Sequence, residues 1–454
     1  MRNAISSLVA IVTVVVILSL QLVLGNNQAE ASGIRDAEIE HTIRLYASPL
    51  LRSAGFEPED VRLHIIKDKA LNAFVAKGQR IFLTSGLLMA AERPEQVVGV
   101  LAHEIGHISG GHLARLSGAL GHARKKALVG QIIGFALGVV TKEGGVMAAT
   151  SAKSSDIALK GLLKFSRTQE RSADQVAIDL LEKTRTSATG LLEFFERLQD
   201  QELLVRERQD SYVVTHPLTQ DRIAFLRNHV DNSRFSGNRL ASDLQIAHDR
   251  MVAKLKGFIN PPRQTLREYS ADDPAISARY ARAVALYRDA RMDEALKLMD
   301  GLLMQAPDDP YFHELKGQIM FENGRLNDAL PSYERAVALR PQQPLLRVGL
   351  AHVQIELTSP ELNKSAINHL EQALRYDRFM PLSWQLAATA YGRNGQHGLS
   401  AVALAEHYLL LGRFVDARGQ ARKAMRILTE NSPGWLRGQD IEAEASRARE
   451  RKTR

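Results

Sequence analysis

A chain of 454 residues is too long for one ordinary core and, at roughly 150 residues per domain, predicts two or three units. An apolar share of 45% and a charged share of 24% confine disorder to the ends, and the absence of cysteine excludes disulfides and thiolate ligands, so any metal site must use His, Asp and Glu. Net charge is +8, but the 59 Lys and Arg are spread along the chain; no nucleic-acid partner is expected, and an anionic membrane surface, an acidic partner or a merely solvated surface fits the excess.

Met1-Arg2-Asn3, a nearly uncharged apolar run from Ala4 to Gly25, and Ala29-Glu30-Ala31 are the parts of a secretory signal, which predicts cleavage after Ala31. The run is close to the ~20 residues that span a bilayer, so an uncleaved anchor is the alternative. Either way the body of the chain is expected outside the cytoplasm. Leu128 to Val140 is apolar but is followed by Lys142 and Glu143, short of spanning length.

Ile39, Ile43, Tyr46 and Leu50, three or four apart, predict a helix from Asp36 to Ala54, ended by Gly55. Val61 to Ile66, Asn72 to Val75 and Arg80 to Thr84 read as short strands of a small sheet, the last two a hairpin across Lys77-Gly78. Pro94 suits a first helical turn, and Val97, Val98, Leu101, Ile105 and Ile108 follow at helical spacing until Gly110-Gly111. The run His103-Glu104-Ile105-Gly106-His107 is therefore on a helix.

From Ile276 the chain turns Ala- and Leu-rich with an internal period. Ala290 to Leu296 is echoed by Gly324 to Leu330, and Pro307 and Pro310 by Pro341 and Pro344, each pair 34 positions apart (325 minus 291). That period, with paired helices, Gly or Ala at the turn and Pro at the end, resembles the tetratricopeptide repeat. A third copy ends at Pro381, 37 positions on (381 minus 344), which predicts a short insertion in its turn around Thr358-Ser359-Pro360; a degenerate fourth starts near Leu411. Asn260-Pro261-Pro262 to Asp273-Pro274 has the composition of a linker, and the charged tail after Trp435 reads as a last helix that frays.

The chemistry lies in His103 to His107. Residues four apart share a helix face, so both histidines can present nitrogen to one ion, while Glu104 projects aside, within reach of a water but badly placed as a ligand. That is the arrangement of a zinc hydrolase: the ion acidifies water and the carboxylate takes its proton. The extension H-E-x-x-H-x-x-G-x-x-H fails here, because Gly110 is present but Leu113 stands where the last His belongs; His112, one position off, is expected to point away from the ion. With that extension goes any Met-turn reading of Met147. A downstream carboxylate remains. Glu170 and Asp174, four apart in Phe165 to Asp174, would share a face, Glu170 completing a His-His-Glu set and Asp174 accepting from a ligand imidazole.

Asn72-Ala73-Phe74, Thr84 to Leu88, His103 to His107, Glu170 to Asp174 and His216-Pro217-Leu218 through Arg222 stand in the order found in the HtpX-like gluzincin peptidases, which the chain resembles over nearly its whole length, in a periplasmic form with C-terminal tetratricopeptide repeats. The resemblance implies one Zn2+ at His103, His107 and Glu170, Glu104 as base, and the Asn72 to Val75 strand as an exposed edge that captures substrate by strand addition. It brings His216 to the zinc, either to stabilise the oxyanion or to fill the water's position and hold the enzyme latent. Arg222 would anchor that loop, assist carbonyl binding or be a plain surface residue. Leu128 to Ala152 reads as a lid or membrane-touching flap, or as a helix packed on the core.

The expected architecture is α+β: a mostly helical zincin-like metalloprotease unit with a small sheet over 34–260, a linker over 261–275, an all-α repeat solenoid over 276–430 and a tail over 431–454, behind a signal at 1–31. The resemblance implies a periplasmic endopeptidase that clears misassembled outer-membrane proteins. The repeats would dock clients, the outer-membrane assembly machinery or other envelope proteins. The rival is a largely latent protease whose repeats act as chaperone or scaffold. A multispanning membrane protease is disfavoured because further spans are missing.

Overall fold

The computed structural model describes residues 33–76, 78–112, 152–204 and 216–453, with side chains at all of these except 152–166, 201–204 and 450–453. The expected signal, Lys77, Leu113, Met147 and all but the last residue of the Leu128 to Ala152 stretch lie outside the described residues. Among the described residues no helix is long and apolar enough to cross a membrane.

The first unit begins with strand β1 (Gly33–Ile34) and helix α1 (Ala37–Ser53). Asp36 caps α1, its carboxylate accepting from the backbone N–H of Glu38 and Ile39. Strands β2 (Arg62–Ile66), β3 (Ala73–Ala76) and β4 (Arg80–Thr84) follow, in the sheet order β1-β2-β4-β3. The β3–β4 hairpin pairs antiparallel as expected, but β4 also lies parallel to β2, with His64 opposite Phe82. Among the described residues β3 lies at an edge.

Helices α2 (Ser85–Ala90) and α3 (Pro94–Ser109) come next, Pro94 at the first helical position where its missing N–H costs nothing. Helices α4 (Ala152–Lys183), α5 (Thr189–Leu204), α6 (Gln220–Asn232) and α7 (Ser242–Ile259) complete the unit. α3 is the central element: nearly every residue from Pro94 to His107 is buried, and α1, α4 and α5 pack around it. Glycines permit the closest crossings, since a Cβ on Gly99 would lie 2.7 Å from the Cβ of Leu191 on α5, and one on Gly106 would lie 2.7 Å from the carbonyl oxygen of Ala173 on α4.

The stretch expected to be a linker is not one. Pro262 opens helix α8 (Pro262–Glu268), again at a first-turn position, and α8 packs on the next helix, Ile276–Arg288, whose Arg282 donates to the carbonyls of Leu266 and Tyr269. α7 packs on Ile276–Arg288 as well, with Arg288 bonding the carbonyls of Gly257 and Asn260. Proline pairs signal linkers because they cannot continue a helix; here they start one. A partly buried ionic cluster ties the units together: Lys254 lies 2.8 Å from Asp36, Arg250 2.6 Å from Glu38 and 2.5 Å from Asp309, and the Tyr280 hydroxyl donates to Glu38.

Behind it stand five antiparallel helix pairs among the described residues: Ile276–Arg288 with Met292–Gln305, Pro310–Glu322 with Leu326–Leu339, Pro344–Glu356 with Pro360–Tyr376, Pro381–Arg393 with His397–Leu410, and Phe414–Ile427 with Pro433–Thr453. The insertion expected in the third turn is absorbed elsewhere. The loop keeps its length, and Pro360–Tyr376 runs 17 residues where its two predecessors run 14, a difference of three that accounts for 37 against 34. The tail helix is seated on its neighbour through buried Ile441 and Ala445.

A candidate metal centre

α3 and α4 cross where Gly106 meets Ala173, and that contact sets His103 and His107 against Glu170. His216 arrives just ahead of α6. All four side chains are buried and their ligand atoms lie within 4.8 Å of one another. His103 Nε2 is 3.1 Å from His107 Nε2, 3.3 Å from His216 Nδ1 and 3.3 Å from Glu170 Oε2; His107 Nε2 is 3.4 Å from Glu170 Oε1, and His216 Nδ1 is 3.2 Å from Glu170 Oε2. Two ligands of one ion at ordinary metal–ligand distances sit about 3.3 Å apart, and these five contacts lie near that value, so the cluster fits a metal site. Glu170 and Asp174 are buried against the guanidinium of Arg222, and Glu104 is buried 3.5 Å from His216 Nε2.

Glu104 is fully buried, and neither carboxylate oxygen has a hydrogen-bond partner among the described residues. Its Oε1 lies 3.5 Å from His216 Nε2. A buried carboxylate without a donor is costly unless a cation or a reacting water completes it. His216 thus stands on both features at once, its Nδ1 in the cage and its Nε2 before the carboxylate.

The outer contacts fix this arrangement. Asp174 Oδ1 is 3.0 Å from His103 Nδ1, and Arg222 grips Asp174 with two bonds, Nε to Oδ2 at 2.6 Å and Nη2 to Oδ1 at 2.8 Å. Arg222 Nη1 reaches Glu170 at 3.1 Å and donates to the carbonyl of Pro217. It is 2% exposed and so is not a plain surface residue. Burial alone would lower His103, but Asp174 and Glu170 outweigh it and hold the imidazole up at about 9; burial dominates at His107 and lowers it. Burial opposes ionisation of both carboxyls, yet His216, His107 and His103 hold Glu170 well below the usual range, and Arg222 and His103 lower Asp174.

His112, expected to point away from the ion, is not among the four clustered donors: its ring is buried on the other side of His107, with Nδ1 3.0 Å from His107 Nδ1, and a Cβ on Gly110 would lie 2.3 Å from its Nε2. Gly110 makes room for this ring. The signal available in sequence was a second histidine five residues after His107.

Asn72 precedes β3, its N–H donating to Thr84 Oγ1 at 3.0 Å and its carbonyl accepting from Thr84 N. Ala73 and Phe74 open β3 at the sheet edge, beside α3.

A helix bearing H-E-x-x-H, a carboxylate from a second helix and a buried base define a metal-dependent peptidase, with a helical repeat array attached. Residues 34–230 match the family described as Peptidase family M48, and residues 280–344 the Tetratricopeptide repeat. The chain thus carries an M48 metallopeptidase domain, whose chemistry requires a divalent metal, followed by tetratricopeptide repeats, and it is a metalloprotease. It is similar to the Beta-barrel assembly-enhancing protease of Escherichia coli (strain K12), 25% identical over 85% of this chain and 78% of that one. The protein of the same name from Yersinia pestis is 24% identical, covering 86% of this chain and 80% of that one. Metalloprotease LoiP of Escherichia coli (strain K12) is 28% identical over 43% of this chain and 73% of its own.

Proposed function

We propose that this protein is a zinc-dependent endopeptidase of the bacterial periplasm that cleaves misassembled outer-membrane proteins, held latent by His216. His103, His107 and Glu170 are the ligands, Glu104 is the general base, and Asp174 and Arg222 position His103 and the His216 loop. The single observation that carries this reading is the convergence of four buried donor groups, their ligand atoms within 4.8 Å of one another, beside a buried carboxylate with no hydrogen-bond partner among the described residues. The ion would supply Lewis-acid chemistry, acidifying water and polarising the peptide carbonyl.

The residues do the rest. A client segment lies along β3, held by main-chain bonds that are indifferent to sequence. Glu104 takes a proton from the attacking water and returns it to the leaving amine. His216, with its Nδ1 among the ligand atoms and its Nε2 facing Glu104, would keep water out while it stays there, and its withdrawal would open the site. The relatives' printed name and the Met1 to Ala31 leader support the envelope setting, and the repeats offer the surface that docks clients or assembly partners.

Two substitutions test this. Glu104→Gln keeps the volume and removes the base, so proteolysis of an unfolded protein such as casein falls by about 10²- to 10⁴-fold at unchanged zinc content. His216→Ala raises proteolysis. A loss of activity in His216→Ala would instead assign it to the oxyanion, and full cellular function of Glu104→Gln would favour the scaffold reading, in which the repeats carry the role.

A further inference from the structure

The sheet has one face on the core and one turned away from it. Ile65, Ala73, Ile81 and Leu83 are buried on the first; Arg62, His64, Phe74, Arg80 and Phe82 are half-buried on the second. Register places three of the latter in one row. His64 is opposite Phe82 and Phe82 opposite Phe74, and the rings stack: His64 and Phe82 have centroids 4.7 Å apart at 16°, Phe82 and Phe74 5.0 Å at 10°.

A row of near-parallel rings across three strands ends at β3, the sheet edge among the described residues. Because Thr84 N bonds the carbonyl of Asn72, alternation makes Phe74 and Ala76 the other residues bonded towards β4 and directs the N–H and C=O of Ala73 and Val75 away from it. A strand added there lies about 4.8 Å from β3, one ring spacing further along the row. At its opposite end the row is bounded by the repeats: Phe379 covers the guanidinium of Arg62 at 3.7 Å, and Asp377 pairs with Arg35 at 2.8 Å. The row extends in one direction, towards an incoming strand.

We infer that the His64–Phe82–Phe74 row is a specificity platform, and that it selects extended client segments carrying an aromatic side chain opposite Phe74. The occupant is the client strand itself, argued from continuity of the platform with the edge that receives it. Side chains of that strand that flank Phe74 point away from α3 and the metal, so the platform reads residues the cleavage site does not touch. Chains that alternate aromatic and small residues, as strands with one apolar face do, match the pleat. The inference rests on the strand-addition reading above.

Two labelled twelve-residue peptides, one with Tyr and one with Ala at every second position and otherwise identical, are titrated by fluorescence anisotropy against the full chain carrying Glu104→Gln, so that no cleavage occurs. The Tyr peptide is expected to bind roughly three- to tenfold more tightly, and Phe82→Leu, which keeps apolar volume but removes the central ring, abolishes the difference. Equal binding of the two peptides, or a preference that survives Phe82→Leu, overturns the platform. N-methylation of alternate peptide nitrogens separates the two ideas: strand addition predicts that it weakens both peptides alike. A Tyr preference with no effect of N-methylation refutes strand addition, and the platform as stated with it. If neither peptide binds while the wild type digests casein, both are refuted and the metalloprotease reading stands.

Discussion

Gly106 stands in the H-E-x-x-H run without touching any ligand group, and Gly106→Ala separates the cost of folding from the cost of the site. The new methyl would lie 2.7 Å from the Ala173 carbonyl oxygen and 3.1 Å from its Cα, backbone atoms that no rotamer change can move. Ordinary contact begins at 3.4 Å, so α3 and α4 must part by about 0.7 Å (3.4 minus 2.7). Alanine favours the helix by ~1 kcal/mol, and overpacking costs ~1–3 kcal/mol, which leaves a net destabilisation of about 0–2 kcal/mol. The site is less forgiving. Glu170 and Asp174 ride on α4, and metal–ligand distances tolerate only about 0.2 Å. Zinc affinity, measured by competition with a chromophoric chelator, is expected to fall tenfold or more, while the melting temperature of the metal-free chain moves by a few degrees. Gly419, exposed in the helix Phe414–Ile427 with nothing within 4 Å of an added Cβ, is the control: Gly419→Ala stabilises by about 0.5–1 kcal/mol and leaves zinc binding alone. Wild-type zinc affinity in Gly106→Ala would refute the claim that this crossing sets the cage.

His112→Ala removes the partner of His107 Nδ1 and is expected to weaken zinc binding by about 10- to 100-fold, with His112→Asn recovering part of it; equal zinc affinity in all three proteins would reduce His112 to packing. His248 is 1% exposed, lies 2.9 Å from the Ala91 carbonyl through Nε2 and 3.3 Å from the Tyr46 hydroxyl through Nδ1, and burial lowers its pKa. Its folded pKa being below the unfolded value, its contribution to stability is present above about pH 6.5 and is lost as pH falls through the lowered value. Thermal midpoints between pH 7.5 and 5 should therefore fall less steeply for His248→Gln than for wild type, and parallel curves would refute this.

What the sequence determined by itself is whatever a single helix or a fixed period carries. Four-residue spacing put His103 and His107 on one face, the same spacing paired Glu170 with Asp174, Pro94 marked the start of α3, and a 34-residue period announced stacked helix pairs. These follow from backbone geometry, which neighbours in the chain share. The tertiary structure decided what depends on contacts between distant segments. The parallel pairing of β2 with β4 has no local cause, and the ring row across the sheet exists only because of it. His112 needed the space left by Gly110, Arg222 became buried only when Asp174 and Pro217 closed on it, and the proline pair read as a linker proved to open a helix because α7 and the first repeat helix gave it a surface to pack on. His216 is the clearest case. Spacing could not bring it to a site more than a hundred residues away; only the fold, with Arg222 holding Pro217 in place, sets its Nδ1 3.3 Å from His103 and its Nε2 before Glu104.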